Sequence, residues 1–464
     1  MMPPRSWSGV SDSPDGNSRL TRRRGCSKGE RWPSSVGGRP RSLVASSGVA
    51  GRGGIGDADA PRVPRMKAAA VAFVRGTRGA SASPIPPRPA TPEDATKLLG
   101  RPPIELGQRS PFEQPRRRIN RELPSGESET PLQDLGGIIT PSDLHYERHH
   151  AGVPSLDPER YKLLVHGLVE RPTIFSLQDL KRFPSRSVVR FLECSGNGYR
   201  GYNEIKKDWS PQQMDGLTST SEWTGVPLAT LFHEVGVKPS ATWFLAEAHD
   251  AAVYSRSIPV SKALDDAMIV YGQNGEALRP EQGYPVRLLL PGWEGSTNVK
   301  WLRRLELSDH PFMTRDETSK YTDPLANCTA RLFSFIMDAK SAITFPAYPA
   351  VVPAPGWWEI KGIAWSGRGR VTRVDVSTDG GRSWRAADLQ EPILPKCHTR
   401  FRHLWKWDGQ EAVLMSRATD ETGYVQPSLA ELKAARGAGT FYHHNNIRAW
   451  RVQPDGRVFF ALEA

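Results

Sequence analysis

The stretch Phe191-Leu192-Glu193-Cys194-Ser195-Gly196-Asn197-Gly198-Tyr199-Arg200-Gly201-Tyr202 puts one thiol where an apolar run breaks into a glycine-rich loop. A thiol there can be a nucleophile, a soft metal ligand or a filler of the core. Gly196, Gly198 and Gly201 bear on the choice. Residues without a Cβ let backbone approach a bulky group and offer N–H donors to an anion. The other cysteines, Cys26, Cys328 and Cys397, are remote in sequence. No CxxC pair, zinc quartet or CxxCH haem attachment is therefore present. One thiolate is too few for zinc, which takes three or four protein ligands. If Cys194 binds a metal, its other ligands must come from a cofactor.

Two further clusters carry charge. Arg148-His149-His150 reads either as a solvated loop or as an anion clamp, in which the guanidinium offers a planar fork of donors. Gly283-Tyr284-Pro285-Val286-Arg287 leads into Pro291-Gly292-Trp293-Glu294-Gly295-Ser296-Thr297-Asn298-Val299-Lys300-Trp301. The second loop lacks the Gly-Lys-Ser/Thr of a Walker motif, yet its glycines and lysine suit a single phosphate.

Elements that could hold these loops follow from periodicity. Tyr161–Val169 reads as a strand ending in a turn, and Ser187–Glu193 as a strand running into the Cys194 loop. Ser176–Phe183 predicts a short helix with Ser176 as cap and Asp179 at its third position. Leu228–Val235 is amphipathic and predicts a helix, and Val286–Pro291 predicts a buried strand. Beyond Pro349–Pro355 the pattern is purely β. Trp357–Trp365 and Val371–Ser377 alternate, and Asp379-Gly380-Gly381 predicts a hairpin turn into a strand through Trp384. That region predicts an antiparallel sandwich.

The chain has 464 residues, enough for two or three domains. Its net charge is +12, but residues 1–66 alone hold 12 Lys/Arg against 5 Asp/Glu. The basic balance thus describes the tail more than the folded part. No basic stripe with interleaved aromatics points to nucleic acid. No apolar run is long enough to span a membrane as a helix. Residues 1–125 are rich in Arg, Pro, Gly and Ser and are expected to be a disordered segment. Within them Thr21-Arg22-Arg23-Arg24 is a candidate twin-arginine export signal, imperfect because the residues after it are polar. It carries the expectation of a periplasmic location.

Taken together, Cys194 in Glu-Cys-Ser-Gly-Asn, Arg148-x-His150, Gly-Tyr-Pro-Val-Arg287 and Asn-Val-Lys300-Trp301-Leu resemble the sulfite oxidase family of molybdenum enzymes. The resemblance runs in order over residues 130–464. Gly136–Pro141, Arg148–Pro154 and Thr318–Asp323 resemble in particular the molybdenum subunits of sulfane dehydrogenases of the Sox sulfur-oxidation complex.

The resemblance implies an α+β fold. A molybdopterin-binding catalytic domain at 126–338 would be followed by an all-β, immunoglobulin-like dimerisation domain at 339–464. It implies a molybdenum–molybdopterin cofactor, with Cys194 as the sole protein ligand to the metal and no haem on this chain. Arg148, His150, Gln282, Arg287, Ser296, Asn298 and Lys300 would hold the pterin and its phosphate. Cys194, Ser195 and Asn197 would also bind the cofactor, with Asn197 and the glycines holding the loop. Arg148, Tyr321 and Arg200 join Cys194 as expected catalytic groups, with Tyr321 at the substrate mouth. The implied reaction is oxygen-atom transfer to sulfite or to a carrier-bound sulfane sulfur. Electrons would pass to a cytochrome c, for which a dihaem subunit is one candidate, in a homodimer or heterotetramer.

Three departures from the animal-type pattern favour a protein-bound sulfur substrate over free sulfite. Gly198 and Tyr199 intervene before Arg200; Gln282 stands where a histidine is usual; and Tyr442-His443-His444-Asn445-Asn446 occupies the region of a substrate arginine. Two rival readings are a molybdopterin-dependent sulfoxide reductase, which the C-terminal β region disfavours, and a non-catalytic module that binds a redox partner.

Overall fold

The computed structural model describes residues 115–121, 125–203, 206–325, 327, 329–437 and 439–462, with the backbone of 21–23. Most of the N-terminal segment, including Cys26 and Arg24, lies outside the described residues, as does Cys328. Two pieces of the 1–125 segment are strands, which corrects the expectation of disorder there. Thr21–Arg23 pairs with Thr329–Arg331, and Arg118–Arg121 pairs with Glu127–Glu129. For the second the cause is charge: Arg118 meets the buried carboxylate of Glu129 at 3.0 Å, and Arg117 meets that of Glu147 at 3.5 Å.

Two sheets form the first half. One is mixed, in the order Ser255–Pro259, Trp243–Ala248, Leu302–Ser308, Lys162–Gly167, Thr173–Ser176. The other is antiparallel and carries Arg186–Glu193 at its edge beside Thr218–Pro227, then Met268–Gln273, which also pairs Arg287–Leu289. A shared core fills the space between the sheets. Leu228–Val235 lays Leu228, Leu231, Phe232 and Val235 on one face into that core, the i, i+3, i+4, i+7 spacing of a helical stripe. Gly236 closes this helix at φ +67°, a left-handed value that suits a residue without Cβ. Burial of each large apolar side chain contributes about 1.5–3 kcal/mol, so Phe232→Ala would cost roughly 3–5 kcal/mol. The Ser176 helix has its reciprocal cap: Asp179 N–H donates to Ser176 Oγ at 3.1 Å and Ser176 N–H donates to Asp179 at 3.0 Å.

The second half is a β-sandwich. One sheet runs Lys340–Phe345, Gly356–Trp365, Thr399–Trp407, Asp388–Gln390. The other runs Arg385–Ala386, Val371–Ser377, Ala412–Asp420, Ala449–Val452, Val458–Ala461. Ile360, Phe401, Val374, Leu414 and Trp450 fill the layer between them. The fold is thus α+β with a β-rich C-terminal half; the helix Leu429–Arg436, capped by Ser428, lies between its strands and corrects the expectation of a purely β region. Two strands differ in extent from their sequence patterns. The strand after the Asp379 turn is only Arg385–Ala386, because the Asp379 carboxylate accepts from Ser383 N at 2.9 Å and holds the chain in a longer loop. The Val286–Pro291 run is a strand only at Arg287–Leu289, because Leu290 N–H donates to the Asn298 side chain at 2.6 Å instead of to a neighbouring strand.

Candidate active site

The strand Arg186–Glu193 ends at Cys194, and the backbone turns there at once. Cys194 N–H donates to Leu217 O at 2.9 Å, and Asn197 N–H donates back to Cys194 O at 2.8 Å. Gly198 continues the turn at φ +89°, where a Cβ would lie 2.2 Å from Arg448 Nη2 and 2.8 Å from His444 O. Only glycine fits.

The Cys194 thiol lines a cleft. Arg148 and His150 enter it from the short strand Glu147–Arg148 and the residues after it. Gln282, Arg287, Ser296, Asn298 and Lys300 line it from the two loops around Arg287–Leu289, and Tyr321 closes it from the residues after Arg315–Thr318. The structure therefore brings together nine of the residues singled out by sequence, drawn from stretches over 170 positions apart.

Their partners define their roles. Lys300 Nζ donates to Arg148 O at 3.1 Å and Glu281 O at 2.9 Å. Burial outweighs Glu147 and pushes its ammonium down to about 7, with Arg287 and Arg148 adding to the depression. Arg287 donates to Gln282 O at 3.0 Å and Asn298 O at 3.1 Å, and lies over the Trp223 ring at 5.1 Å. Burial lowers it to about 10, so it remains a cation at neutral pH. The Arg148 guanidinium pairs with Glu127 at 3.3 Å. Asn298 spends its side chain on the loop backbone, accepting from Leu290 N and donating to Glu294 O at 2.8 Å. Gln282 donates to Tyr146 O at 2.8 Å. The Tyr321 hydroxyl and His150 Nε2 are hydrogen-bonded at 3.1 Å. Burial, with Arg148 and Lys320 nearby, holds His150 down to about 3 and keeps it neutral. Burial raises the Tyr321 hydroxyl far above its usual range, so it keeps its proton.

Three of the expected site residues do not line the cleft. Arg200 points away from the cleft: it forms an ion pair with Glu129, donates to Gln213 O at 2.6 Å and lies over the Trp209 ring at 5.5 Å. The buried carboxylate of Glu129, 71 positions away, draws it off. Asn197 is fully enclosed, donating to Glu193 at 2.9 Å and Asp215 O at 3.0 Å while accepting from Leu217 N at 3.1 Å. It fixes the loop from behind. Ser195 is buried beneath Cys194, and its carbonyl accepts from His443 N at 2.8 Å.

Other cleft residues escaped sequence reasoning: His145, Tyr146, Asp250 and Tyr254. Beneath the wall lies a chain of buried polar groups. Arg256 donates to Ser296 Oγ at 2.6 Å and stacks under the Tyr321 ring at 4.8 Å. Ser296 Oγ donates to Glu294 at 2.9 Å, and Glu294 meets His443 Nε2 at 2.5 Å. Burial works against the Glu294 charge, but His443, Arg256 and Ser296 outweigh it and hold its carboxyl down to about 2. Nothing local marked this network, since Arg256 stands between Ser255 and Ser257 and its carboxylate partners are distant in sequence. His444 is also buried, against Tyr202 at 4.7 Å.

The surroundings of Cys194 bear on its use. Burial pushes its thiol up to about 11, opposed by Arg148 and the Gly196 N–H. A reactive nucleophilic cysteine needs the opposite shift. The thiol packs partly against the core around Leu192 and Trp223 and also lines the cleft, where it can meet a ligand. A metal cation would deprotonate it outright. Among the described residues no three His, Cys, Asp or Glu side chains gather as a metal site, so a metal here would take its other ligands from a cofactor. The cleft fits a polar, anionic one. His145 Nε2 and Arg287 Nε are buried without protein partners, and the wall carries the cations Arg148, Arg287 and Lys300.

Comparison with known proteins agrees. Residues 150–315 match the model of the oxidoreductase molybdopterin binding domain, and residues 332–449 that of the Mo-co oxidoreductase dimerisation domain. Chicken (Gallus gallus) sulfite oxidase is 32% identical over 383 residues, covering 76% of this chain and 81% of that protein. A nitrate reductase of Phaseolus vulgaris is 33% identical over 60% of this chain, which spans only 35% of that longer protein. Among solved structures, the sulfane dehydrogenase SoxCD of Paracoccus pantotrophus superposes with a TM-score of 0.74 at 42% identity, covering 82% of this chain and 97% of that one.

Proposed function

The chain belongs to the sulfite oxidase family of molybdopterin-dependent oxidoreductases, and from that premise we propose that it oxidises sulfite or a carrier-bound sulfane sulfur by oxygen-atom transfer. The observation that carries this reading is the single thiol of Cys194 in a cleft whose wall holds Arg148, Arg287 and Lys300. When bound, the cofactor supplies the transferable oxygen and accepts the two electrons of the oxidation.

In this reading Cys194 binds the metal. Arg287, Lys300 and Ser296 hold the pterin and its phosphate, with His150, Gln282 and Asn298 on the surrounding wall. Arg148, whose charge is felt at Cys194, would attract an anionic sulfur substrate into the cleft. The Tyr321 hydroxyl stays protonated and is held by neutral His150, so it can donate a hydrogen bond to a sulfur oxyanion without losing charge balance. Tyr254 packs edge-on to Tyr321 at 6.5 Å and narrows the entrance.

Carrier-bound sulfane is the favoured substrate within this reading. Where the resemblance puts a substrate arginine, this chain has His443 tied to Glu294. Arg200 is tied to Glu129. Fewer cations then face a small dianion such as sulfite. A cytochrome c as acceptor, a homodimer or heterotetramer built through the C-terminal sandwich, and a periplasmic location belong to the same proposal. The test is steady-state reduction of cytochrome c with sulfite, thiosulfate and a cysteine persulfide peptide compared at equal molybdenum. The reading expects the peptide-bound sulfur to have the highest kcat/KM. No turnover with any sulfur donor by molybdenum-loaded protein would overturn it.

A further inference from the structure

The loop that carries Cys194 is not held by the catalytic domain alone. Lys340, the first residue of the first sandwich strand, is fully buried among groups of the other domain. Its ammonium lies 3.1 Å from Glu193 Oε1 and 2.8 Å from Asp215 Oδ1, and donates to Asn197 O at 3.4 Å. Trp365, from the neighbouring sandwich strand, donates to the other Glu193 oxygen at 2.7 Å. Arg448, also of the sandwich, pairs with Asp215. Two buried anions of the catalytic domain are thus neutralised by two buried cations of the sandwich.

Both backbone groups of Cys194 end in this cluster. Its N–H is held by Leu217 O, and Leu217 N–H is held in turn by Asn197 Oδ1. Its carbonyl is held by Asn197 N–H, and the Asn197 side chain is held by Glu193 and Asp215 O. Lys340 touches Glu193, Asp215 and Asn197 together. Resting on the reading of Cys194 as the metal ligand, we propose that Lys340 is a positioning residue: the C-terminal sandwich sets the orientation of Cys194 at the metal through the Lys340–Glu193–Asp215 cluster. The sandwich would then act in catalysis as well as in assembly. Groups one shell out from a ligand commonly govern how that ligand presents itself.

The test uses the full-length, cofactor-loaded chain. Lys340→Met keeps the length of the side chain and removes its charge. Trp365→Phe is the second probe: it keeps an aromatic ring and every buried charge, while removing the donor to Glu193 and part of the packing around it. Lys361→Met, on a surface pair with Glu359, is the control. Molybdenum and pterin per chain, kcat and KM separately, and the electron paramagnetic resonance spectrum of Mo(V) are measured for each. The proposal expects Lys340→Met to keep its cofactor while kcat falls roughly 10–100-fold with KM little changed. It expects the Mo(V) spectrum to shift or broaden, with Trp365→Phe moving in the same sense and the control unmoved. In cofactor-free protein, Cys194 should be alkylated faster in both variants, because the loop is less constrained. Folded variants with the wild-type spectrum and kcat would overturn the proposal. Absence of molybdenum from the wild type would instead overturn the functional reading on which it rests.

Discussion

Lys300 gives the most quantitative handle on the cleft. Burial holds its ammonium down to about 7 in the cofactor-free protein, with Glu147 pulling the other way. An anion placed against Nζ favours the charged form, so binding takes up a proton wherever free Lys300 is neutral. The sign follows: the depressed group is charged below about 7 and neutral above, so anion affinity must fall as pH rises. At pH 6 about 90% of a group with that value is charged and at pH 8 about 10%, which makes binding about tenfold weaker, or ~1.4 kcal/mol. Sulfate is the right probe, because its own charge is constant over that range. Burial holds His145 and His150 down to about 3, both neutral throughout, and Arg287 at about 10 remains charged. Isothermal titration of cofactor-free protein with sulfate at pH 6, 7 and 8, at constant ionic strength, reads the slope. Lys300→Met should abolish it. A pH-independent affinity in the wild type, or an unchanged slope in Lys300→Met, would refute the reasoning.

Two further outcomes follow from the packing. Gly198→Ala should cost roughly 2–5 kcal/mol, since its φ of +89° strains any Cβ and the added carbon meets Arg448 and His444 O; a denaturation midpoint close to wild type would contradict the close approach. Arg200→Ala should leave kcat per molybdenum near wild type but cost about 1–3 kcal/mol of stability, because Glu129 is left buried with Arg118 alone. Burial already raises the Glu129 carboxyl above 4.5, and losing Arg200 raises it further. The folded variant then holds its proton more tightly than the unfolded chain, so the loss grows as pH rises through the carboxylate range and shrinks as pH falls. Denaturation at pH 5 and pH 8 checks the sign.

The parts of the site that could be read from the sequence were local. Cys194 declared itself because three glycines surround one thiol, and Lys300 because a lysine sits among small residues after a buried strand. The Ser176 cap and the Leu228–Val235 helix were equally local, resting on contacts three or four residues apart. What stayed hidden depends on partners far along the chain. Arg200 was expected at the substrate, but its destination is fixed by Glu129. The Glu294–His443 pair spans 149 positions and Lys340–Glu193 spans 147, and no spacing rule links such residues. Asn298 was placed at the right loop, yet its side chain serves the backbone of that loop at Leu290 and Glu294. Charge type was legible; charge pairing required the fold.

The central claim is that Cys194 is the protein's ligand to molybdenum. X-ray absorption at the molybdenum edge, on purified wild-type protein and on Cys194→Ser loaded to equal metal content, tests it most directly. Arg287 and Lys300, the residues proposed to hold the pterin, are untouched by the substitution, so the metal should remain bound. The account predicts that the sulfur coordination falls by one scatterer in Cys194→Ser, replaced by oxygen, with turnover per molybdenum collapsing. An unchanged sulfur shell in the variant would contradict it.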